Sequence, residues 1–308
     1  MPLKTTSFQH ITAITERLFN TYQDRTLCTQ YAWWILESII GKKQADILAQ
    51  SELTLTSQQV ADLERWITDI VDKHMPIAYL IGWVPFADLT IRVQPPILIP
   101  RPETEEWVLN LISQYQPLRD TPLSILDLCS GTGCIALALA HAFPAAHVVG
   151  TDINEDAVLL ARDNAQHNKI SNVTFVHCDL YSKLPHAAYD VIVSNPPYID
   201  QRAWHTLDIA VTTWEDRNAL IAADNGLAII KQIIAQAHQY LRFNHARDAY
   251  QLLPNVIIEI DENQGELVAQ EMKSASMVNI VVHKDLAGKD RVVSGRVMNV
   301  ATATKGTS

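Results

Sequence analysis

Asn195, Pro196, Pro197 and Tyr198 place together an amide side chain, two carbonyls with no competing N–H, and a flat aromatic ring. An asparagine oxygen and a prolyl carbonyl can between them accept both hydrogens of a planar NH2 group, while Tyr198 stacks on its plane. Amide and exocyclic amine nitrogens are poor nucleophiles because their lone pair is delocalised, as in the peptide bond. Holding both hydrogens and fixing the plane aims that lone pair at an electrophile. No strong base is then needed, since the proton leaves after the new bond forms. The same four residues also describe an ordinary Pro-Pro turn capped by Asn195, and short motifs of this kind recur by chance. On their own they leave both readings open.

A second group, Asp127-Leu128-Cys129-Ser130-Gly131-Thr132-Gly133-Cys134, falls between an apolar strand pattern and a helical one. Gly131 and Gly133 permit a tight turn and close approach of a ligand, and the helix start offers free N–H groups. About twenty residues further on, Asp152 ends the next strand, where an acid commonly binds both ribose hydroxyls, although taken singly it reads equally as a helix cap. Asp179 and Leu180 end the third, placed for an adenine ring and its amino group. Gly131-x-Gly133-x-x-Ala136 also meets the dinucleotide fingerprint, so a nicotinamide enzyme is an alternative. Against it stand Asp127 just before the glycine turn and an amine-holding motif that hydride transfer does not use. S-adenosylmethionine carries adenine, ribose and a cationic sulfonium but no pyrophosphate, and a carboxylate near the loop suits it. Methyl transfer accounts for more of the residues.

The elements that must position these groups follow from periodicity. Val191, Ile192 and Val193 form a β-branched run that the two prolines stop, as in a strand buried on both faces of a parallel sheet. Ligands in open α/β sheets bind at the carboxyl ends of such strands. From Ser124 strand and helix patterns alternate: strands at 125–126, 148–149, 173–176, 191–194 and 256–260, helices at 135–143, 157–168, 227–241 and 265–275. This predicts a doubly wound, Rossmann-like parallel sheet. A closing hairpin, 278–283 with 291–297 about Gly288, is expected to put an antiparallel strand at one edge.

Upstream, residues 1–83 read as a small helical domain. Phe8, Ile11, Ile14, Leu18 and Tyr22 lie at helical spacing, as do Leu27, Tyr31, Trp34, Ile35 and Ile39, with Gly41 placed to end that helix. Thr56 and Gln59 form a capping box for a third helix carrying Val60, Leu63, Ile67, Ile70 and Val71. Trp33 and Trp34 are read as core. Leu89, Ile91 and Val93 alternate ahead of Pro95, Pro96 and Pro100, giving a β-hairpin linker over 84–104, and the methyltransferase-like domain spans 105–300. Pro102 with Glu103, Glu105 and Glu106 is good helix-start chemistry. Glu103 and Thr104 either serve that start alone or border the cofactor crevice. Residues 301–308 form a polar tail expected to be disordered.

The chain has 308 residues, 48% hydrophobic and 19% charged, an ordinary globular composition. A formal net charge of −10 argues against affinity won by neutralising phosphates. Cys28, Cys129, Cys134 and Cys178 show no metal-ligand spacing and read as reduced thiols. No signal pattern or apolar run of membrane length is present, so a cytoplasmic monomer without membrane, metal or direct nucleic-acid contact is expected.

With these residues in place, the chain resembles the release-factor glutamine methyltransferases of the PrmC/HemK family over nearly its whole length. The resemblance rests on Pro76–Gly82, Leu98–Glu105, Ile125–Ala140, Asp152, Asp190–Ile199 and Asp285–Val293. It implies a class I S-adenosylmethionine-dependent fold and methylation of the glutamine side-chain amide in the Gly-Gly-Gln motif of peptide chain release factors. It further implies that Cys129, Ser130, Gly131, Thr132, Gly133, Asp152, Leu180 and Asn195 hold the cofactor, and that Asn195–Tyr198 hold the substrate amide, with Glu215 on the substrate side. The N-terminal helices are the expected grip on the protein substrate. Cys129 stands where many members have glycine, Glu215-Asp216 replaces Glu-Pro, and a longer polar segment lies between Leu241 and Pro254. The alternatives are a ribosomal-protein glutamine methyltransferase, an adenine or cytosine amino methyltransferase, and a non-catalytic cofactor-binding module.

Overall fold

The computed structural model describes residues 6–242 and 253–298. Residues 243–252 of the polar segment and the tail at 301–308 lie outside them. The chain divides into two compact units, one of residues 1–83 with 208–214, the other of 84–207 with 215–308.

The first unit contains α1 (Ser7–Tyr22), α2 (Arg25–Ile40), α3 (Gln44–Leu48), α4 (Ser57–Val71) and α5 (Ile77–Ile81). Thr56 and Gln59 form the expected reciprocal cap on α4, and Thr6 with Gln9 makes another on α1. Gly41 ends α2 in the left-handed conformation at φ 72°. Ile14, Leu18, Ile35, Leu36 and Ile70 meet in the core. Phe8 and Val60, expected on the apolar faces of their helices, stay exposed. Trp34 is also a correction: it stacks at a tilt on Tyr31, 5.7 Å between ring centroids, at the surface, while Trp33 packs on the core. A short helix from later in the chain, Ile209–Trp214, completes this unit, and Trp214 Nε1 donates to the Lys73 carbonyl at 2.8 Å.

The second unit opens with a hairpin of β1 (Trp83–Phe86) and β2 (Leu89–Arg92), turned at Ala87 and Asp88, both at positive φ. That geometry matches the twist of paired strands in a two-residue loop. An extended stretch leads to α6 (Pro102–Tyr115). Then come β3 (Ser124–Leu128), α7 (Cys134–Ala142), β4 (His147–Asp152), α8 (Glu155–His167), β5 (Val173–His177), β6 (Val191–Ser194) and the two-residue β7 (Ile199–Asp200). Numbering the Ile209–Trp214 helix α9, the chain continues through β8 (Ile221–Ala222), α10 (Ala228–Tyr240), β9 (Val256–Glu259), α11 (Gly265–Ser274), β10 (Met277–Lys284) and β11 (Asp290–Val297).

Seven strands form one sheet in the order β10-β11-β9-β6-β3-β4-β5, parallel except for β11. All four residues of β6 are buried, as its apolar run requires. The antiparallel strand is not the edge strand: β11 sits between β9 and β10. The burial of Val292, Val293, Ser294 and Gly295 explains this, since β11 needs cover on both sides, whereas β10 leaves Val278 and Val281 exposed and has an irregular register between them. Having built β4 and β5 on one side of β3, the chain crosses to β6 on the other. The reversal leaves a crevice at the carboxyl ends of β3 and β6.

Candidate active site

The parallel register sets the site out in a row. Leu128 lies level with Thr151 on one side and Ser194 on the other, and Ser194 is level with Ile258. The next residue of each strand, Asp152, Cys129, Asn195 and Glu259, therefore follows at the same edge of the sheet.

Beyond β3 the chain turns sharply, with Cys129 at φ 60°, Gly131 at 52° and Gly133 at 81°. Asp152 braces this turn: its Oδ2 accepts from Gly131 N and its Oδ1 from Asn154 N, both at 2.8 Å. A Cβ on Gly133 would stand 2.7 Å from the Phe175 ring, so the helix start packs against β5 only without one. A Cβ on Gly131 would meet no atom within 4 Å, because that face looks into a cavity of about 650 Å³. Cys129, Gly131, Asp152, Asp179, Leu180, Asn195 and Pro197 all line the cavity, with Ile97, Ile153 and Ile229 among its apolar walls.

Other expected site residues stand behind that wall. Ser130 and Thr132 are buried within the turn, and Asp127 lies fully buried beneath it, its Oδ2 accepting from Ala136 N at 3.1 Å. Asp127 Oδ1 and Ser130 Oγ are buried without a hydrogen-bond partner among the described residues. Apolar walls for adenine, Asp152 for ribose hydroxyls and an open glycine turn fit S-adenosylmethionine. Glu215, expected on the substrate side, does not line the cavity. Its buried carboxylate is taken by Arg101 Nη2 at 2.6 and 2.7 Å, which ties the segment before α6 to the loop after α9.

Burial holds the Asp127 carboxyl well above its ordinary value, and the nearby Asp152 charge adds to the rise. A carboxyl whose folded pKa exceeds its unfolded one binds more protons folded than unfolded, so the fold loses stability as pH climbs from about 4 through the raised value. Asp127→Asn is therefore expected to flatten that loss: urea midpoints of the cofactor-free protein, compared from pH 4.5 to 7.5, fall less for the variant than for the parent.

Sequence reasoning left Thr104 undecided and missed Glu259, Trp107 and Gln264. Glu259 is 1% exposed. Its Oε2 accepts from Thr104 Oγ1 at 2.8 Å and Trp107 Nε1 at 2.7 Å, and its Oε1 accepts from the Tyr198 hydroxyl at 3.2 Å. Asn195 Nδ2 in turn donates to Thr104 Oγ1 at 3.2 Å. Burial raises the Glu259 pKa, opposed by the three donated hydrogen bonds and by Arg291, which pairs with Asp285 at 3.0 Å. Gln264 Nε2 donates to the Tyr198 carbonyl at 2.9 Å, closing the turn from behind. The missed signal was available: Val256-Ile257-Ile258-Glu259 is an apolar strand ended by an acid, the pattern that singled out Asp152.

The strand order, with a glycine turn opening on a cavity at the carboxyl ends of the parallel strands, is that of an S-adenosylmethionine-dependent methyltransferase fold. Residues 111–242 match the Methyltransferase small domain family, and residues 23–82 match the PrmC N-terminal domain. Curated relatives named release factor glutamine methyltransferase are 37% identical in Escherichia coli strain K12 (85% of this chain, 90% of the relative) and 36% in Lactococcus lactis (79% and 87%). The Coxiella burnetii protein of the same name is 35% identical over 85% of this chain and 89% of its own. The chain belongs to the release factor glutamine methyltransferase family.

Proposed function

We propose that this chain methylates the side-chain amide nitrogen of the glutamine in the Gly-Gly-Gln motif of peptide chain release factors. The observation that carries this is the orientation of Asn195: one Nδ2 hydrogen goes to Thr104, which fixes the amide and sets Oδ1 on its other side to accept from a substrate NH2. Asn195 Oδ1 and the Pro196 carbonyl take the two amide hydrogens, and Tyr198 bounds the amide face. Bound S-adenosylmethionine supplies the electrophilic methyl group. Gly131, Asp152, Asp179 and Leu180, which line the cavity, would hold the cofactor. The protein's contribution is orientation and fixed dipoles: the amide lone pair points along one line, the N–C bond would form as the methyl's bond to sulfur breaks and sulfur keeps the pair, and the nitrogen then gives a proton to water. The crevice recognises only an amide and its near neighbours, so the helical unit supplies the grip on the larger partner. We take it to work in the cytoplasm as a monomer, and its net charge of −10 is in keeping with no direct nucleic-acid contact. Among the described residues no helix is long and apolar enough to cross a membrane.

Transfer of labelled methyl from S-adenosylmethionine tests this, with release factor, release factor lacking the Gly-Gly-Gln glutamine, ribosomal protein and DNA run in parallel. Label is expected on the intact release factor alone. Label on DNA or ribosomal protein, or label surviving loss of that glutamine, would overturn the assignment.

A further inference from the structure

We infer that Glu259 and Thr104 are positioning residues for methyl transfer: through its hydrogen bond to Thr104, Glu259 dictates which end of the Asn195 amide faces the substrate, and it separately holds the Tyr198 hydroxyl. The inference rests on the reading above, that Asn195 Oδ1 receives a hydrogen from the substrate.

An asparagine amide has two faces of nearly equal shape, one an acceptor and one a donor, and only the acceptor serves an incoming NH2 group. Packing alone does not choose between them; donor and acceptor direction does. Trp107 Nε1 can only donate, so Glu259 Oε2, 2.7 Å away, must accept. Thr104 Oγ1 meets the same oxygen at 2.8 Å and has one proton to give, which it gives there. What Thr104 then offers Asn195 is a lone pair. Asn195 must answer with Nδ2, and Oδ1 is left facing the opposite way. The direction is the same whether or not Glu259 Oε1 carries a proton, because Oε2 accepts in either case. Glu259 is held in place from several sides: it ends β9 in the row beside Asn195, it is buried, and Arg291 stands near it, fixed in turn by Asp285.

Two substitutions separate the two arms. Thr104→Val keeps the shape and removes the relay, so Asn195 loses the partner that fixes its orientation. Glu259→Gln keeps an oxygen for Trp107 and Thr104, because Trp107 accepts nothing, and turns its NH2 toward Tyr198. It therefore spares Asn195 and takes away the acceptor of the Tyr198 hydroxyl.

The test measures single-turnover methylation of release factor, cofactor dissociation constants and thermal melts for Thr104→Val, Thr104→Ser, Glu259→Gln, Tyr198→Phe and Asn195→Ala, and for Thr104→Val combined with Asn195→Ala. Thr104→Val is expected to lower kcat about tenfold with cofactor affinity within twofold of the parent, the worth of one hydrogen bond expressed as a rate. Thr104→Ser restores turnover to within about threefold, since the hydroxyl returns. The combined variant is no slower than Asn195→Ala alone, because Thr104 acts through Asn195. If Thr104→Val does not fold, Thr104→Ala carries the test of the relay with the same expected loss and the same lack of additivity with Asn195→Ala; for the other arm, the kcat of Glu259→Gln matches that of Tyr198→Phe, and the pair combined is no worse than either. Parent-like turnover in Thr104→Val, failure of Thr104→Ser to restore it, additivity with Asn195→Ala, or a Glu259→Gln rate far from that of Tyr198→Phe would overturn the inference and leave the function standing. Parent-like turnover in Asn195→Ala would instead remove the reading beneath it.

Discussion

Asn195→Ala is expected to lower kcat for release-factor methylation by about 10²–10³-fold, the usual cost of deleting one preorganised polar group at a reacting centre. Without Oδ1 the substrate NH2 keeps one acceptor, the Pro196 carbonyl, and rotates about it. The lone pair then points along the line of transfer for only a fraction of the time, and misplacement by about 1 Å alone costs about 10²-fold. Folding is spared, because among the described residues the side-chain hydrogen bond lost is the one from Nδ2 to Thr104. Single-turnover rates with saturating cofactor and release factor, alongside a melt, check it. Turnover equal to the parent would remove Asn195 from the mechanism.

Gly226→Ala is expected to be the most damaging change outside the motif. Gly226 lies at φ 85°, which an alanine adopts at a cost of about 1–2 kcal/mol. Its Cβ would fall 2.0 Å from the Tyr198 carbonyl oxygen and 2.7 Å from Gln264 Nε2. The first is backbone, so relief comes only by moving the turn that carries Asn195 to Tyr198. The expected outcome is a loss of about 3 kcal/mol in urea unfolding and at least a tenfold loss of turnover. Gly131→Ala is the contrast. It also sits at positive φ and carries the same backbone cost of about 1–2 kcal/mol, but its Cβ meets no protein atom, so the loss of stability stops there and cofactor affinity falls as well.

Much of the cavity wall was legible because its signals are local. The acid at the end of β4, the paired glycines after β3 and the apolar run of β6 each lie within a few residues of what they determine. Parallel register then does the rest, since strands level with one another bring Asp152, Cys129, Asn195 and Glu259 to one edge. The scaffold beneath Asn195 was not legible for the opposite reason. Thr104 and Glu259 are 155 residues apart in the chain, and Thr104 and Asn195 are 91 apart. Nothing in the spacing of the Arg101–Glu106 stretch separates a helix start from a buried relay, and Thr104 is in fact both. Glu215 shows the converse: an acid near the expected substrate loop finds its partner in Arg101. The place of β11 turned on comparing two apolar strands for burial, which alternation alone does not rank.

The helix Ile209–Trp214 belongs with residues 1–83, although the chain reaches it only after most of the sheet has been built. A clone begun at Val84 would keep Trp214 and lose Lys73, whose carbonyl the indole uses. Grafting the helical unit of one relative onto the sheet of another therefore takes two exchanges of chain, 1–83 and 208–214, and a chimera spliced at the hairpin alone would carry a mismatched piece.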